Sequence, residues 1–400
     1  MRWSSSVSDA PSFTEAVDQV CEQVLVSLDG KTPDLAIAFI SSHHAPSYYI
    51  APELFQERLG AKVFIGCSAA GVIGGGHEVE RRPGVAVSAA LLPGVDILPF
   101  EIKQDELPDP DAPPEAWAGL LGVPASETPA IMLLPDPFTL HVDHLLSGLD
   151  FAYPNAVKIG GLASGGTGPG ANAMFLGDSV RRSGAVGAAF TGDLVVETVV
   201  AQGCRPIGSP MVITECERNI ITRLNDDTPL DVLRELFDNA ETRDRRLIRR
   251  SLQIGILMDP LRDSFTTGDF LIRNVIGADE EEGTLAVGEH VREGQVVQFH
   301  VRDAEAADED LRMMLEQYVD GLDGRGSPAS ALLFTCLSRG QYLFGTPDHD
   351  TEMFHSMVAP IPLAGFFCNG EIGPIGDTTF LHGYTSSFAL FKPKDSAGAV

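Results

Sequence analysis

One order of segments occurs three times along the chain: an apolar strand, a helix, a second apolar strand that ends in a glycine-rich loop, and a further apolar strand. The copies begin near Leu35, Ala130 and Ala331, and the spacing from the first strand to the second is similar in each. Other segments separate the copies, so they do not form a contiguous solenoid. We expect the equivalent strand ends, and therefore the glycine loops, to face a shared region. The alternative is a chance likeness of the kind that any chain mixing helices and strands can show.

The chain has 400 residues, too many for one ordinary domain and enough for two or three. Short apolar runs that predict strands alternate with amphipathic stretches that predict helices. We therefore expect an α+β (mixed α/β) fold with mixed or antiparallel sheets covered by helices, a layered αββα arrangement being one option. We place a domain boundary near Asn225 to Thr228, which gives domains of residues 1–226 and 227–400. Four runs within 172–219 predict successive antiparallel strands joined by Gly/Asp turns.

The charge balance argues against several classes of partner. With 28 basic and 56 acidic side chains the formal net charge is −28, which repels nucleic acid and anionic lipid over most of the surface. The one local basic cluster, Arg243 to Arg250, is interrupted by Leu247 and Ile248 and predicts a solvated helix face, with an anion or partner site as the alternative. The N-terminus has no apolar signal region, and no apolar run approaches the ~18 residues of a membrane helix. We expect a cytoplasmic protein without a membrane segment.

The glycine loops fail the tests for familiar catalytic and nucleotide motifs. The loop Gly66 to Gly71, GCSAAG, misses the G-x-S-x-G hydrolase elbow by one residue. Gly30-Lys31-Thr32 resembles the end of a P-loop, but Leu25 stands where the first glycine belongs. The loop at 165–170 leads into a predicted strand instead of a helix, which excludes a dinucleotide fingerprint.

Metal ligation is equally unsupported by spacing. His141 and His144 can share a helix face, but no third ligand has a recognisable spacing. The run 347–355 contains two histidines and three acidic residues, and we interpret Asp348 and Asp350 as helix caps.

Two cysteines in glycine-rich turns raise the hypothesis of a Cys-dependent enzyme. Cys67 and Cys368 have histidines near them in sequence, His77 and His382, so a Cys/His nucleophile is conceivable. The alternative is a small buried thiol that packs where a strand enters a turn. The six cysteines contain no C-x-x-C pair, and we expect reduced thiols.

Polar groups collect at the ends of the apolar strands. Such groups, with glycines that admit a close backbone approach, are typical of a site for a small polar ligand. We assign Glu371 to a ligand ammonium and Arg339 to a ligand carboxylate, with a structural ion pair between the two as the alternative. The predicted ligand-binding residues are Ser41, Cys67, Ser68, Gly71, Ser164, Cys336, Arg339, Asn369, Gly370, Glu371, His382 and Tyr384.

The motifs resemble the FIST family over nearly the whole chain. KIGGLAS, GAVGAAFTG, QGCRPIGSPMVIT and VFIGCSAAGVI resemble its N-terminal module; TCLSRGQYLFG, GFFCNGEIGPIG and LHGYTSSFALF resemble its C-terminal module. The resemblance implies a non-catalytic sensory protein for a small ligand, with amino acids as one ligand class. It also implies an alternative, a haem-based gas sensor, for which His77 and His382 lie in suitable loops.

The two modules occupy the whole length of the chain, and we recognise no F-box, kinase, cyclase, chemotaxis or DNA-binding segment. We therefore expect the signal to leave through a separate partner protein or through self-association. A scaffold that binds a partner protein but no ligand is a further hypothesis.

Overall fold

A computed structural model of the chain describes residues 1–259, 265, 267–322 and 326–394. It contains 28% helix and 40% strand, which confirms the α+β class. The chain divides into two compact units. The larger contains Met1–Val200, Arg312–Leu381 and the described residues from Thr385 onward, and the smaller contains Ala201–Leu311 and His382–Tyr384. The boundary near Asn225 to Thr228 stays a prediction about sequence modules.

In the structure each copy of the repeat is preceded by one more strand and a helix, which we count with it. The elements of the first copy are then β1 (Arg2–Ser8), α1 (Phe13–Ser27), β2 (Leu35–Ser41), α2 (Ala51–Leu59), β3 (Val63–Ala69), β4 (Gly71–Gly74), β5 (His77–Glu80) and β6 (Val85–Leu91). The second copy contains β7 (Val95–Ile102), α3 (Pro114–Leu121), β8 (Ala130–Pro135), α4 (Val142–Ala152), β9 (Lys158–Gly161), β10 (Met174–Leu176), β11 (Ser179–Arg181) and β12 (Ala185–Gly192).

The third copy begins with β13 (Leu194–Ala201) and is then interrupted by β14 (Cys204–Glu217), β15 (Ile220–Leu224), α5 (Pro229–Asn239), α6 (Thr242–Ser251), β16 (Leu252–Leu257), β17 (Phe270–Asp279), β18 (Thr284–Val287) and β19 (Val296–Arg302). It resumes with α7 (Ala304–Asp320), β20 (Ser330–Cys336), α8 (Gln341–Phe344), α9 (His349–Met357), β21 (Leu363–Cys368), β22 (Glu371–Ile375), β23 (Thr378–His382) and β24 (Ser386–Pro393). Short 3-10 helices cover Ser42–Ile50, Gln104–Glu106 and Thr267–Asp269.

The three copies build three six-stranded sheets with one common strand order. The orders are β1-β6-β2-β3-β10-β11, β7-β12-β8-β9-β22-β23 and β13-β24-β20-β21-β4-β5. In each sheet the two strands on either side of the repeat's helix run parallel: β2 with β3, β8 with β9, and β20 with β21. We keep the names first strand and second strand for these two. The strand that ends the repeat, β6, β12 or β24, runs antiparallel to the first strand. The repeat in the sequence is therefore a repeat of the fold. The αββα option has two sheets, whereas the larger unit has three.

The copies also exchange strands in a closed cycle. After each glycine loop, two short strands leave their own copy and extend the sheet of another. The strand β4 pairs with β21, β22 pairs with β9, and β10 pairs with β3, each antiparallel. Each second strand is thus flanked by its own copy on one side and by a strand from another copy on the other, so no copy can complete its sheet alone.

Apolar side chains from all three sheets share one core. Phe39 of the first sheet, Met132 of the second and Phe366 of the third belong to it, and the rings of Phe39 and Phe366 stack with centroids 4.8 Å apart. Each buried side chain of this size contributes roughly 1.5–3 kcal/mol. Helices α1 and α2 cover the other face of the first sheet, and α3 and α4 cover the second. The helix α1 starts where Ser12 accepts a hydrogen bond from the Glu15 backbone N–H, as expected of an N-cap.

The smaller unit contains a closed antiparallel barrel with the order β14-β15-β18-β17-β16-β19. Helix α5 begins after Thr228, whose hydroxyl accepts from the Asp231 N–H, and Pro229 occupies the first turn. The basic cluster lies on α6 with Ile248 buried and most arginines exposed, as predicted for a solvated helix face.

The prediction of a run of paired strands within 172–219 was wrong about pairing. All four segments are strands, but β10 joins β3, β12 lies between β7 and β8, β13 joins β24, and β14 belongs to the barrel. Alternating apolar residues and turn signals predict a strand but not the strand with which it pairs. Because the copies exchange strands, strands that are adjacent in sequence belong to different sheets.

Candidate ligand site at the glycine loops

Three six-residue segments with glycine at both ends begin inside the second strands of the three copies, β3, β9 and β21, and continue past the strand ends as the glycine loops. They are GCSAAG at 66–71, GGLASG at 160–165 and GFFCNG at 365–370. The first glycine of each faces the parallel neighbouring strand so closely that a Cβ atom would lie 2.1, 1.9 or 1.8 Å from a backbone carbonyl oxygen of that strand. Only glycine fits there, which explains why the loops share this residue.

Hydrogen bonds join the three loops to one another, as the repeat predicted. The Ser164 N–H donates to Ser68 O at 3.1 Å, and the Leu162 N–H donates to Gly370 O at 2.8 Å. The Asn369 N–H donates back to Leu162 O at 3.2 Å. The loops therefore do face one shared region.

The serines of the predicted site lie inside this junction. Ser41, Ser68 and Ser164 are all buried. Each hydroxyl accepts from a backbone N–H, of Gly84, Ala173 and Ala70 respectively, at 2.9–3.0 Å. Ser164 also donates to Phe367 O at 2.5 Å. Their assignment to a ligand stays a prediction; in the structure the bonds of Ser68 and Ser164 hold the loops in place, whereas Ser41 holds Gly84 before β6.

The charged residues concentrate in the third copy. Arg339 is fully buried and donates from Nε and Nη2 to the two carboxylate oxygens of Asp350, at 2.8 and 2.9 Å. His349 lies 2.9 Å from the same carboxylate, and the hydroxyls of Thr335 and Ser386 donate to it. Two-pronged guanidinium–carboxylate contacts of this kind are strong and fix both side chains.

The interpretation of Asp350 as a helix cap was wrong. The residue lies in the first turn of α9, but its carboxylate points into the buried cluster and pairs with Arg339. Nor does Asp348 cap α9 with its side chain; instead it accepts from the Glu78 N–H at 2.6 Å. Sequence reasoning missed Asp350 because an acidic residue near a helix start has the same pattern whether it faces water or the interior.

Glu371 forms a second buried carboxylate in this copy. Its Oε2 accepts from the N–H of Thr385 at 3.1 Å and from the hydroxyl of Thr385 at 2.7 Å. The next residue, Ser386, donates to Asp350, so two consecutive residues connect the two carboxylates. In the first copy Val72 stands where Glu371 stands in the third, because Gly71 and Gly370 end the corresponding loops.

Burial and neighbouring charges set the protonation of this cluster. Burial alone would raise the pKa of Asp350, but Arg339 and His349 outweigh burial and hold that pKa far below its usual range. Glu78 lies close to Asp350 and is also buried. Burial and the charge of Asp350 raise the pKa of Glu78 to about 8.

Two predicted residues, Cys336 and Asn369, and the neighbouring Ser338 form an accessible rim beside the buried charges. Asn369 is exposed, while Cys336 and Ser338 are half-buried with Sγ and Oγ 3.1 Å apart. The Leu337 N–H donates to Cys368 O at 3.0 Å, which fixes the end of β20 against the end of β21. Gly370 and Gly71 are buried, and neighbouring side chains leave little room for a Cβ atom at either position. The rim is therefore exposed to solvent, and Arg339 and Glu371 are buried one residue after Ser338 and two residues after Asn369.

The remaining predicted residues lie elsewhere. Tyr384 belongs to the smaller unit, where its hydroxyl donates to Asn274, and His382, also assigned to that unit, is buried. His77 starts β5 and its ring lies 3.1 Å from Asp348. His144 packs edge-on against the Trp117 ring.

Neither a metal centre nor an activated thiol is indicated by this geometry. In the described part of the chain, no group of three or more His, Cys, Asp or Glu side chains is arranged to hold a metal ion. Cys67 and Cys368 are fully buried, and burial raises the pKa of both thiols well above the ordinary value. A cysteine nucleophile needs the opposite shift.

The fold and the loop junction define a two-module α+β protein with a buried cluster of charged side chains at the ends of its strands. The chain belongs to the FIST family: the FIST N domain matches residues 34–227 and the FIST C domain matches residues 229–374. FIST domains are generally sensory domains for small ligands in signal transduction, a non-enzymatic family.

Relatives with the same length of match occur in mycobacteria. An uncharacterized protein of Mycobacterium tuberculosis is 37% identical over 393 residues, which is 98% of this chain and 100% of the relative. An uncharacterized protein of Mycobacterium bovis is 35% identical over 393 residues, 98% of this chain and 99% of the relative. An F-box/LRR-repeat protein of Arabidopsis thaliana is 26% identical over 157 residues, 36% of this chain and 28% of the relative. Among the described residues no helix has the length and apolar character needed to cross a membrane.

Proposed function

We propose that the protein is a non-catalytic sensory module that binds a small polar ligand at the rim of the third copy and passes the signal to a separate partner. One observation carries the proposal: the cluster at the strand ends of the third copy combines a buried arginine and two buried carboxylates with accessible polar residues, whereas the corresponding strand end of the second copy has a single buried carboxylate, Asp136, and that of the first copy has the hydroxyl of Ser41. Buried charge is costly for stability, and its presence beside a strand end is typical of a binding site.

The rim and the buried charges have different tasks in this proposal. Ser338 and Asn369 are accessible and offer a hydroxyl and an amide for hydrogen bonds to the ligand. Glu371 supplies negative charge beneath a cationic group such as an ammonium, and Arg339 supplies positive charge that Asp350 partly neutralises. A ligand that carries both charges, such as an amino acid, suits this arrangement best.

Thermal denaturation against amino acids, small carboxylates and nucleotides, with haem as a separate sample, tests the proposal. A ligand at 100 times its Kd adds about 2.7 kcal/mol, a rise in Tm of roughly 5–10 °C for a unit of this size. A shift with amino acids supports the proposed site. A shift with haem alone supports the gas-sensor alternative, and no shift with any member favours the partner-binding scaffold.

Rim variants locate the site. Asn369→Ala should weaken binding of the compound that gives the shift about tenfold, roughly the 1.4 kcal/mol of one good polar contact. Asn155→Ala removes an exposed asparagine before β9 in the second copy and serves as the matched control. Equal affinity in both variants would show that the ligand binds elsewhere.

A further inference from the structure

Two cysteines occupy the same rung of the parallel ladder between β20 and β21. Cys336 is the register partner of Cys368, one rung beyond Phe334 with Phe366. Phe334, Phe366 and Cys368 all belong to the core that the three sheets share, and side chains alternate along a strand. Both cysteine side chains therefore stand on the same face of the sheet.

The spacing of this rung suits a disulfide. Neighbouring strands lie about 4.7–4.9 Å apart, inside the range of about 4.4–6.8 Å that disulfides need between Cα atoms. The Cβ atoms on such a rung lie at or slightly beyond the upper end of the usual disulfide range, and a bond formed under that constraint is readily reduced. In the structure no disulfide joins any of the six cysteines, all of which lie in the described part of the chain.

The two thiols differ in their access to solvent. Cys336 is half-buried at the rim, and its Sγ lies 3.1 Å from the Ser338 hydroxyl. Cys368 is fully buried behind it. An oxidant from solvent can reach Cys336, and Cys368 stands at the same rung of the neighbouring strand, where its thiol donates to Phe366 O at 3.4 Å. An exposed cysteine next to a second cysteine is the arrangement of a reacting and a resolving thiol.

We propose that Cys336 and Cys368 form a dithiol site that hydrogen peroxide oxidises to a reversible disulfide. The Cys336 sulfur attacks a peroxide oxygen, an S–O bond forms, the O–O bond breaks, and the first water leaves after proton transfer from the thiol. The Cys368 sulfur then attacks the sulfenic acid while its proton transfers to the departing hydroxyl; an S–S bond forms, the S–O bond breaks, and the second water leaves. Because burial raises the pKa of the Cys368 thiol, this second step is the slower of the two. One peroxide is reduced by two electrons to two waters, and two thiols become one disulfide.

This disulfide would also control the ligand site, a consequence that rests on the proposed function. Cys336 and Ser338 form one side of the rim, and Asn369 follows Cys368 on the other side. A covalent bond between the two strand ends removes the Cys336 thiol from the rim and pulls its two sides together. We expect the oxidised protein to bind the ligand more weakly than the reduced protein.

The test is intact and peptide mass spectrometry of the full chain after hydrogen peroxide, with thiols alkylated before digestion. We expect a linked peptide pair that contains Cys336 and Cys368 and is about 2 Da lighter than the two reduced peptides together, and dithiothreitol should reverse both the link and this loss of 2 Da. Cys216 is the matched control, because it is half-buried but its register partner is Ile221, so it should gain oxygen without forming an internal bond.

Variants and circular dichroism keep the test decisive. Cys336→Ser and Cys368→Ser should each abolish the loss of 2 Da while Cys216→Ser retains it, and the far-UV spectra should show that all three are folded. A linked pair that contains Cys67, or oxygen addition at Cys336 without any disulfide, would overturn the proposal. The mass readout needs no ligand, so its outcome is independent of the proposed function.

Discussion

The buried pair between Arg339 and Asp350 makes a strong prediction about stability. The two side chains are 0% and 2% exposed, and two hydrogen bonds of 2.8 and 2.9 Å join them. Removing one partner takes the two-pronged counter-ion away from a charge that stays buried, which costs about 3–5 kcal/mol. Arg339→Met and Asp350→Ala should therefore each lower the free energy of unfolding by this amount, which corresponds to a fall in Tm of roughly 6–20 °C.

A double-mutant cycle measured by urea denaturation isolates the pair. Because the double variant leaves no orphan charge between the two positions, its cost should be at least about 2 kcal/mol smaller than the sum of the single costs. Arg58→Met is the control, since Arg58 and Asp18 form an ion pair at 2.6 Å with 39% and 49% of their side chains exposed. That change should cost less than about 1 kcal/mol. Additive costs at Arg339 and Asp350, or single costs as small as that of the control, would refute the reasoning.

Further predictions concern protonation, packing and thiol reactivity. The pKa of Glu78 is raised to about 8, above the value near 4.5 that applies in the unfolded chain. Between these two values the folded state binds more protons than the unfolded state. The protein therefore loses stability as the pH rises from about 5 to 8. Glu78→Gln should therefore be less pH-sensitive in thermal scans over that window, and an identical pH profile for both proteins would contradict the assignment. Gly365→Ala should lower the free energy of unfolding in urea by several kcal/mol, because its Cβ would lie 1.8 Å from a carbonyl oxygen. The control is Gly119→Ala in α3, where no atom lies within 4 Å of the added Cβ; it should raise the free energy of unfolding by up to about 1 kcal/mol. Iodoacetamide at neutral pH should label the half-buried Cys216 and leave Cys67 unmodified in the folded protein, and rapid labelling of Cys67 would revive the nucleophile hypothesis.

The repeat could be predicted from the sequence because each copy has strands of similar length, a helix at a similar position and a glycine loop. The strands β2, β8 and β20, which begin at Leu35, Ala130 and Ser330, are central strands of the three sheets. The exchange of β4, β10 and β22 between copies could not be predicted, because pairing between distant strands depends on which edges are free in the folded unit and not on local pattern. The repeat was therefore enough to predict that the three glycine loops face one region. It was not enough to predict which strands of other copies pair beside each loop.

The candidate site could be predicted in part. Arg339 and Glu371 stood out as charges among apolar and glycine residues, and both are buried in the third copy. Asp350 was missed because its partner, Arg339, lies on a different element and nothing in the spacing connects a residue of α9 with the end of β20. Cys67 and Cys368 seemed equivalent in sequence, but the loop glycines align Cys368 with Ala69, so the two thiols occupy different positions in their copies.

The central claim, that the charged third copy is the sensory site, is tested most directly by ligand-induced thermal stabilisation in three proteins. They are the wild type, Glu371→Gln and Asp136→Asn. Asp136 is a buried carboxylate at the end of β8, at the position that corresponds to Cys336, and it bonds with Thr139 and Asn172 inside the second copy. We predict that an amino acid raises the Tm of the wild type and of Asp136→Asn by roughly 5–10 °C at saturation and leaves Glu371→Gln nearly unchanged. Equal shifts in all three proteins would contradict the claim that Glu371 and its neighbours form the site.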